Sequence, residues 1–256
     1  MNPPLTDWPR SRVWVVGASS GIGSALAEAL LARGARVALS ARRGEALQSV
    51  AAAAPDRALV VPADVTDPDG VHRAWQAVEA AWGGVDLVLC VAGAYVPASA
   101  DAFDAALAAR LFDLNVMGTV RVVDAVLPSL LARGSGHLSV VASVAGYRAL
   151  PRALFYGPTK AALIHLAEGL HLDLRPRGIG VSVVNPGFVR TPATAVNDFH
   201  MPALLSPEEA AEATLRGLER GAFEIHFPHR FTNWLKLLRL LPYRWYFPLV
   251  HRITGL

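Results

Sequence analysis

The chain has 256 residues, of which 53% are hydrophobic and only 18% are charged, and its net charge is +3. A chain of this composition buries ample apolar surface, which excludes intrinsic disorder. Its single cysteine, Cys90, excludes a disulfide-rich secreted protein. We find no run of 18 uncharged apolar residues and no signal-peptide pattern, so we expect no membrane-spanning helix and a cytoplasmic protein.

Short apolar runs alternate with longer helical segments along the chain. The predicted strands are 13–16, 36–39, 58–61, 86–91, 137–141, 180–184 and 222–227. The predicted helices are 22–33, 42–53, 68–82, 101–132, 157–176 and 207–220. The strands are β-branched or continuously apolar, as in strands that are covered on both faces. This alternation predicts an α/β fold, a single-domain Rossmann-type doubly wound parallel sheet with helices on both faces.

A glycine-rich turn directly follows the first strand and opens the first helix. It reads Gly17-Ala18-Ser19-Ser20-Gly21-Ile22-Gly23. Glycine permits a tight turn and a close backbone approach, and a helix N-terminus offers free N–H groups and a positive dipole to a pyrophosphate. An ordinary glycine-rich loop is the alternative, but the position between strand and helix favours dinucleotide binding. We therefore assign residues 1–228 to a dinucleotide-binding and catalytic unit and 229–256 to a C-terminal extension of the same domain.

The Gly-x-x-x-Gly-x-Gly spacing resembles that of the short-chain dehydrogenases/reductases, and further motifs of that family follow in order over residues 12–227. They are Asp64-Val65, Ala92-Gly93, Asn115, Ser143, Tyr156-x-x-x-Lys160 and Asn185-Pro186-Gly187. Two positions depart from the family pattern. Val16 stands where a threonine is frequent, and Cys90-Val91 replace two asparagines before Ala92.

The resemblance implies an oxidoreductase that moves a hydride between a nicotinamide and a carbonyl or secondary alcohol. Its catalytic residues would be Asn115, Ser143, Tyr156 and Lys160: Ser143 binds the substrate carbonyl, and Asn115 holds a water that links Lys160 to a proton relay. Asp64 and Val65 would contact adenine, and Thr191 would hold the nicotinamide carboxamide. The cofactor-binding residues so implied are Gly17, Ser19, Ser20, Gly21, Ile22, Gly23, Asp64, Val65, Ala92, Gly93, Tyr156, Lys160, Pro186, Gly187, Val189 and Thr191.

Tyr156 and Lys160 are four residues apart, so on a helix they lie on one face. A free tyrosine has a pKa near ~10, and we expect the nearby ammonium to lower the pKa of Tyr156. The phenol could then give or take a proton at neutral pH. Pro158 requires the helix to begin close to Tyr156, because an interior proline would break it. A buried tyrosine with an unrelated exposed lysine is the alternative.

The end of the second strand bears on cofactor choice. A site selective for NAD places a carboxylate there, but this strand ends in Ser40-Ala41-Arg42-Arg43. An arginine donates two hydrogen bonds to a phosphate, so Arg42 and Arg43, with the Ser19 hydroxyl, favour NADP(H) over NAD(H). A solvated arginine pair is the alternative. The eight histidines have no metal-ligand spacing, and we expect no metal.

The substrate pocket of the family is closed by the segment after Gly187, which here is short. About 18 residues separate Gly187 from the capping box of Ser206 and Glu209, so we expect an open pocket or one completed from elsewhere. The lining candidates are Ala145, Tyr147, Leu150, Phe155, Phe188 and Phe199. Because they are mostly apolar, they favour a bulky apolar or acyl-bearing carbonyl compound.

In the C-terminal extension, the sequence pattern predicts an amphipathic helix over 231–241 that ends at Pro242. The extension is also basic. It carries five basic and no acidic residues after Glu224: Arg230, Lys236, Arg239, Arg244 and Arg252. Basic residues mixed with tryptophan, tyrosine and leucine are typical of a membrane interface, and we expect possible peripheral contact through 230–252. Packing on the domain, on a second subunit, or over the active site are the alternatives. The leucine face disfavours nucleic acid.

The main prediction is an NADP(H)-dependent carbonyl reductase, or the reverse alcohol dehydrogenase, acting on an apolar or lipid-like substrate. A 3-oxoacyl-thioester reductase is the alternative within the same class. A non-catalytic NADP-binding regulator and a membrane-associated scaffold are the alternatives from other classes. The resemblance also implies a homodimer or homotetramer formed through the helices near 101–132 and 157–176.

Overall fold

The computed structural model describes residues 1–196 and 201–254, which form one parallel sheet with helices on both faces. Its strands are β1 (Arg12–Val16), β2 (Arg36–Ser40), β3 (Ala58–Val60), β4 (Leu87–Cys90), β5 (Gly136–Val141), β6 (Ile179–Pro186) and β7 (Glu224–Phe227). They lie in the order β3-β2-β1-β4-β5-β6-β7, and every neighbouring pair is parallel. The predicted doubly wound sheet is confirmed. The strand order reverses between β1 and β4, which opens a crevice at the carboxyl ends of the strands.

The helices follow the predicted segments with two exceptions, the segment 101–132 and the last helix. They are α1 (Gly21–Ala32), α2 (Gly44–Ala51), α3 (Pro68–Trp82), α4 (Ala105–Phe112), α5 (Gly118–Arg133), α6 (Tyr156–Leu174), α7 (Pro207–Glu219), α8 (His229–Arg239) and α9 (Tyr243–Thr254). The bounds of most predicted elements lie within two residues of those observed. The capping box at the start of α7 is also present, with Ser206 and Glu209 each bonding the other's backbone N–H.

The single helix predicted over 101–132 is wrong. Asp104 accepts hydrogen bonds from the N–H groups of Ala106 and Leu107, and so begins α4 four residues later than expected. A five-residue π-helical segment, Asp113–Met117, then separates α4 from α5. Such wider turns frequently mark functional positions. Here the wide turn contains Asn115, which is fully buried.

Two apolar layers cover the sheet. On one face, β-strand side chains pack against α3, α5 and α6, and the fully buried Trp14 ring lies 5.8 Å from that of Trp75. The Trp14 indole N–H donates to Ser40 Oγ at 2.8 Å, so its one polar group is satisfied. On the other face, α1 and α7 cover the sheet with residues such as Leu26, Leu30 and Leu215. These layers hold the carboxyl ends of the strands in fixed register.

By length and composition alone, the described residues include one helical stretch long enough and apolar enough to cross a membrane, Ala105–Arg133. Of its most apolar 18-residue window, 44% is buried inside the protein. Val122, Val126 and Leu130 belong to the core that covers the sheet. The stretch is therefore accounted for as a core element interrupted by the π-helical segment.

The C-terminal extension packs on the domain, one of the alternatives that the sequence left open. Phe231 of α8 lies against Phe188, with ring centroids 5.7 Å apart, and Leu238 and Tyr246 are buried. Lys236 forms an ion pair with Glu224, the first residue of β7. The extension continues after Pro242 as α9, a second helix that the sequence pattern did not predict.

Candidate active site

The glycine turn connects β1 to α1 in a conformation that requires glycine at each of three positions. Gly17 has a φ of +103°, and a Cβ there would lie 2.5 Å from the backbone nitrogen of Ala92. A Cβ on Gly23 would come within 2.0 Å of the carbonyl oxygen of Gly17. The turn is thus closed upon itself and pressed against Ala92 after β4. Ala92, one of the predicted cofactor-binding residues, therefore lies beside the turn.

The first turn of α1 has no side-chain cap. Ser20 occupies the N-cap position with extended backbone, but its side chain accepts no capping hydrogen bond. The backbone N–H groups of this turn are therefore available to an external acceptor such as phosphate. A Cβ on Gly21 would lie 2.9 Å from Thr191 Cγ2, which places Thr191 directly against the turn. Two predicted cofactor positions that are 170 residues apart in sequence are thus in contact.

The segment around Thr191 is braced from within. Thr194 Oγ1 donates to the carbonyl oxygen of Val189 at 2.6 Å and accepts from the Thr191 N–H at 3.0 Å. The Gly187 N–H donates to the carbonyl of Phe227, which joins this segment to the end of β7. Pro186 ends β6. The predicted residues Pro186, Gly187, Val189 and Thr191 thus leave the sheet at its carboxyl edge.

The adenine side of the crevice contains the two arginines and the Asp64-Val65 pair. Arg42 and Arg43 are exposed in the loop after β2, and Arg43 is the N-cap residue of α2. Asp64 Oδ1 accepts from the Thr66 N–H at 2.9 Å and its hydroxyl at 2.8 Å. Val65 is buried, and a Cβ on Gly118 would lie 2.7 Å from its side chain. Arg42, Arg43 and the Asp64-Val65 pair therefore follow two neighbouring strands, β2 and β3, at the carboxyl edge of the sheet.

Ser143 and Tyr156 are brought together at the carboxyl end of β5. Tyr156 is the first residue of α6, as Pro158 required, and its hydroxyl is hydrogen bonded to Ser143. Ser143 Oγ also accepts from the Ala145 N–H at 3.1 Å, which fixes the hydroxyl. The rings of Tyr95 and Tyr156 pack edge to face, with centroids 5.1 Å apart. The geometry points a serine and a tyrosine hydroxyl at one small region.

Lys160 and Asn115 lie behind Tyr156. The Lys160 ammonium is 5.6 Å from the centre of the Tyr156 ring and donates to the carbonyl of Val141 at 2.9 Å. Asn115 accepts from the Ala94 N–H at 2.8 Å and donates to Ala94 and Thr159. A Cβ on Gly93 would lie 3.2 Å from Asn115 Oδ1 and 3.4 Å from Lys160 Nζ. All four predicted catalytic residues are therefore within one continuous cluster.

Comparisons of the sequence and the structure with known proteins all lead to one family. The pattern of the short chain dehydrogenases matches residues 11–200. An uncharacterized oxidoreductase of Myxococcus xanthus is 37% identical over 231 residues, which cover 89% of this chain and 91% of the relative. One of Staphylococcus aureus is 36% identical over 205 residues, covering 80% and 89%. A crystal structure of a short-chain dehydrogenase from Streptomyces avermitilis, 30% identical, has a TM-score of 0.83 and covers 96% of this chain and 98% of its own. The chain belongs to the short-chain dehydrogenase family.

As a short-chain dehydrogenase the protein is an oxidoreductase, and the family implies a nicotinamide cofactor. The glycine turn fits such a group, because a side chain at any of its three glycines would clash with neighbouring protein atoms and force the tight turn open, and the first turn of α1 lacks a side-chain cap. Within residues 1–196 and 201–254, no cluster of three or more histidine, cysteine, aspartate or glutamate side chains is arranged to hold a metal.

The two proton-bearing groups of this short-chain dehydrogenase have pKa values shifted by burial. Burial raises the pKa of Tyr156 to about 12, and the hydrogen bond from Ser143 offsets this only in part. Burial lowers the pKa of Lys160 from 10.5 to about 8. The expected lowering of the Tyr156 pKa is therefore wrong. The cost of burying a phenolate exceeds its stabilisation by an ammonium that faces Val141 instead of the tyrosine oxygen.

The residues predicted to line the substrate pocket lie in several different environments. Ala145 and Leu150 are partly exposed beside the Ser143 loop. Phe155 is buried in a small apolar cluster with Ala98 and Leu111. Phe188 is partly buried and packs against Phe231 of the extension. Phe199 lies outside the described residues.

Tyr147 is buried and donates its hydroxyl hydrogen bond to Glu224, an interaction that the sequence analysis missed. Asn185 and Lys236 bond the same carboxylate, which keeps the pKa of Glu224 low although burial opposes this. Two sequence signals were available: Glu224 is the last acidic residue of the chain, and Lys236 is one of only two lysines. This cluster ties the Ser143 loop, β6 and α8 together.

Proposed function

We propose that this short-chain dehydrogenase is an NADP(H)-dependent reductase of apolar carbonyl compounds. The observation that carries the proposal is the cluster of Ser143, Tyr156 and Lys160 at the carboxyl edge of the sheet, beside an uncapped glycine turn. Hydride chemistry needs a proton donor at the carbonyl oxygen and a nicotinamide held nearby. The cluster offers the first, and the turn is suited to hold the second.

The residues have separate roles in the proposed reaction. The glycine turn, Thr191 and the arginines would hold the cofactor, which supplies a hydride to the carbonyl carbon when bound. Ser143 donates a hydrogen bond to the carbonyl oxygen and holds it beside Tyr156. As the carbon accepts the hydride, the O–H bond of Tyr156 breaks and its proton moves to the oxygen, giving the alcohol. Lys160, as an ammonium, offsets the charge left on Tyr156.

The pKa values favour reduction over oxidation at neutral pH. A tyrosine with a pKa near 12 is protonated, and so it is ready to donate a proton to a developing alkoxide. Lys160 with a pKa near 8 is mostly an ammonium at neutral pH. Alcohol oxidation would instead need the phenolate, which burial disfavours.

The preference for NADP(H) rests on Arg42 and Arg43. Both side chains are exposed where β2 ends, and this strand end has no carboxylate to hold ribose hydroxyls. The preference for an apolar substrate rests on Phe188 and Phe231, whose rings pack against each other beside Gly187. Neither feature selects a particular compound, so a panel of substrates is required.

The test is NADPH oxidation, followed by its absorbance, with ketones that range from small soluble compounds to steroids and long-chain acyl ketones. Acyl thioesters form a separate arm. We expect turnover of apolar ketones, and we expect Tyr156→Phe to lower it by about 10²–10⁴-fold, the usual contribution of a general acid. Tight NADPH binding without turnover of any compound would contradict the proposal and favour a regulator that binds the cofactor.

A further inference from the structure

The extension formed by α8 and α9 has a buried inner face that fixes its orientation. Tyr246 is 2% exposed and donates its hydroxyl hydrogen bond to the carbonyl of Ala149. Arg148 donates to the carbonyls of Leu238 and Leu241 at the end of α8, and its guanidinium lies 3.8 Å from the Tyr246 ring centre. These contacts determine which side chains of the extension face outward.

Many of the exposed side chains of the extension are apolar or aromatic. Of fifteen large hydrophobic side chains that are exposed in the described part of the chain, seven belong to the extension. They are Trp234, Leu237, Leu240, Tyr243, Trp245, Phe247 and Ile253. Trp234 and Leu237 are three residues apart and so lie on one side of α8. Tyr243 and Phe247 are stacked at 5.4 Å on the first turn of α9. We call these seven side chains the outer patch.

The same two helices, α8 and α9, also carry exposed positive charge. Arg230, Arg239, Arg244 and Arg252 are all exposed, and the chain has no acidic residue after Glu224. The fifth cation, Lys236, is paired with Glu224 on the inner side. Arg244 lies 5.8 Å from the centre of the Trp245 ring, so a cation is found beside an exposed tryptophan.

A cavity of about 360 Å³ opens next to the outer patch. Arg148 and Arg239 line it together with Tyr147 and Tyr243. The two guanidinium groups and the Tyr243 phenol are donors suited to a phosphate, whereas the Tyr147 hydroxyl already donates to Glu224. The cavity thus adds a polar recess at the edge of an apolar surface.

We propose that the outer patch binds the surface of a bilayer that contains anionic phospholipid. Exposed tryptophan and tyrosine are favoured at the level of the headgroups, apolar side chains enter the acyl boundary, and arginines attract acidic headgroups. A second copy of the chain fits less well. A two-fold contact through this face would bring together arginines with no acidic residue of the extension to oppose them.

The test is flotation of the full chain with vesicles of phosphatidylcholine alone and with 30% phosphatidylglycerol. We expect flotation with the anionic vesicles, weaker flotation with the neutral ones, and a decrease as salt is raised. The variant Trp234→Gln/Leu237→Gln/Trp245→Gln should lose at least tenfold in partitioning. Leu172→Gln is the matched control, because Leu172 is 74% exposed on α6, far along the chain from the extension, and its loss should change nothing.

Three outcomes would overturn the proposal. One is the absence of flotation with any vesicle, and another is a triple variant that floats like the unmodified chain while its melting curve shows it to be folded. The third comes from sedimentation velocity: a dimer that the triple variant converts to monomer would show that a second copy covers the patch.

Discussion

The ammonium of Lys160 donates its hydrogen bond to the main-chain carbonyl of Val141, at 2.9 Å, within a buried environment. This hydrogen bond holds the ammonium 5.6 Å from the centre of the Tyr156 ring and directs it toward Val141. Burial of this charge has two measurable consequences, one for the pH dependence of turnover and one for stability.

The rate of carbonyl reduction should be constant below about pH 8 and fall above it. Lys160 has a pKa of about 8, so it loses its charge over the range in which Tyr156, with a pKa near 12, stays protonated. The acid is retained but the cation that supports it is lost. A plot of kcat against pH checks this, with NADPH affinity measured at each pH. A reduction rate that rises between pH 8 and pH 10 would contradict the assignment.

Replacing Lys160 by methionine should abolish turnover and stabilise the fold. The folded pKa lies below that of the free side chain, so at neutral pH the unfolded chain binds the proton more readily and the buried charge is unfavourable. We expect Lys160→Met to raise Tm by about 2–4 °C, the shift that about 1 kcal/mol produces in a chain of this size. The difference should shrink as the pH rises from 8 to 10.5.

Lys236→Met is the matched control for stability, because Lys236 is the other lysine of the chain. Its ammonium is paired with Glu224, so its removal leaves a half-buried carboxylate with one partner fewer. Tm should fall in this variant. If both lysine variants were destabilised equally, burial of Lys160 would not be unfavourable.

Gly23→Ala should disrupt the glycine turn. The new methyl group would lie 2.0 Å from the Gly17 carbonyl, so the turn would have to shift, at a cost of about 1–3 kcal/mol. NADPH binding, measured by fluorescence titration, should weaken at least tenfold. Gly169→Ala is the control, since its position in α6 has nothing within 4 Å of the added methyl. That change should stabilise the protein by about 0.5–1 kcal/mol and leave NADPH binding unchanged.

Arg42→Gln/Arg43→Gln should raise the KM for NADPH at least tenfold and leave that for NADH almost unchanged. Each arginine–phosphate bond contributes roughly 1.5–3 kcal/mol, and only NADPH has the 2′-phosphate. Arg36→Gln is the control, because Arg36 is exposed at the opposite end of the same strand. An equal loss for both cofactors would show that the arginines do not distinguish them.

Much of the fold could be predicted because its signals are local. The seven strands, the glycine turn and the start of α6 at Tyr156 each depend on a few adjacent residues, and Pro158 alone limits where α6 begins. The four catalytic residues were predicted from motifs that follow one another along the chain in the order typical of the family. The prediction required no knowledge of which residues contact one another across the sheet.

The parts that could not be predicted depend on contacts between distant residues. The π-helical turn at Asn115 follows no periodicity in 101–132, since its amide is held by Ala94 and Thr159. The direction of the Tyr156 pKa shift depends on how deeply the phenol is buried, which sequence spacing does not report. Glu224 joins Tyr147 and Lys236 only because β7 lies at the edge beside β6.

The hydrogen bonds from Arg148 to the end of α8 mean that the C-terminal extension cannot be exchanged freely between members of the family. Arg148 lies five residues after Ser143 and fastens to main-chain carbonyls. Grafting this extension onto a relative that lacks an arginine there would leave those carbonyls without their donor. Deleting the extension would remove the carbonyls and the Tyr246 ring that Arg148 contacts from the loop after Ser143. Recombination between family members therefore has to carry the loop and the last 28 residues together, so that both ends of this link are inherited from one parent.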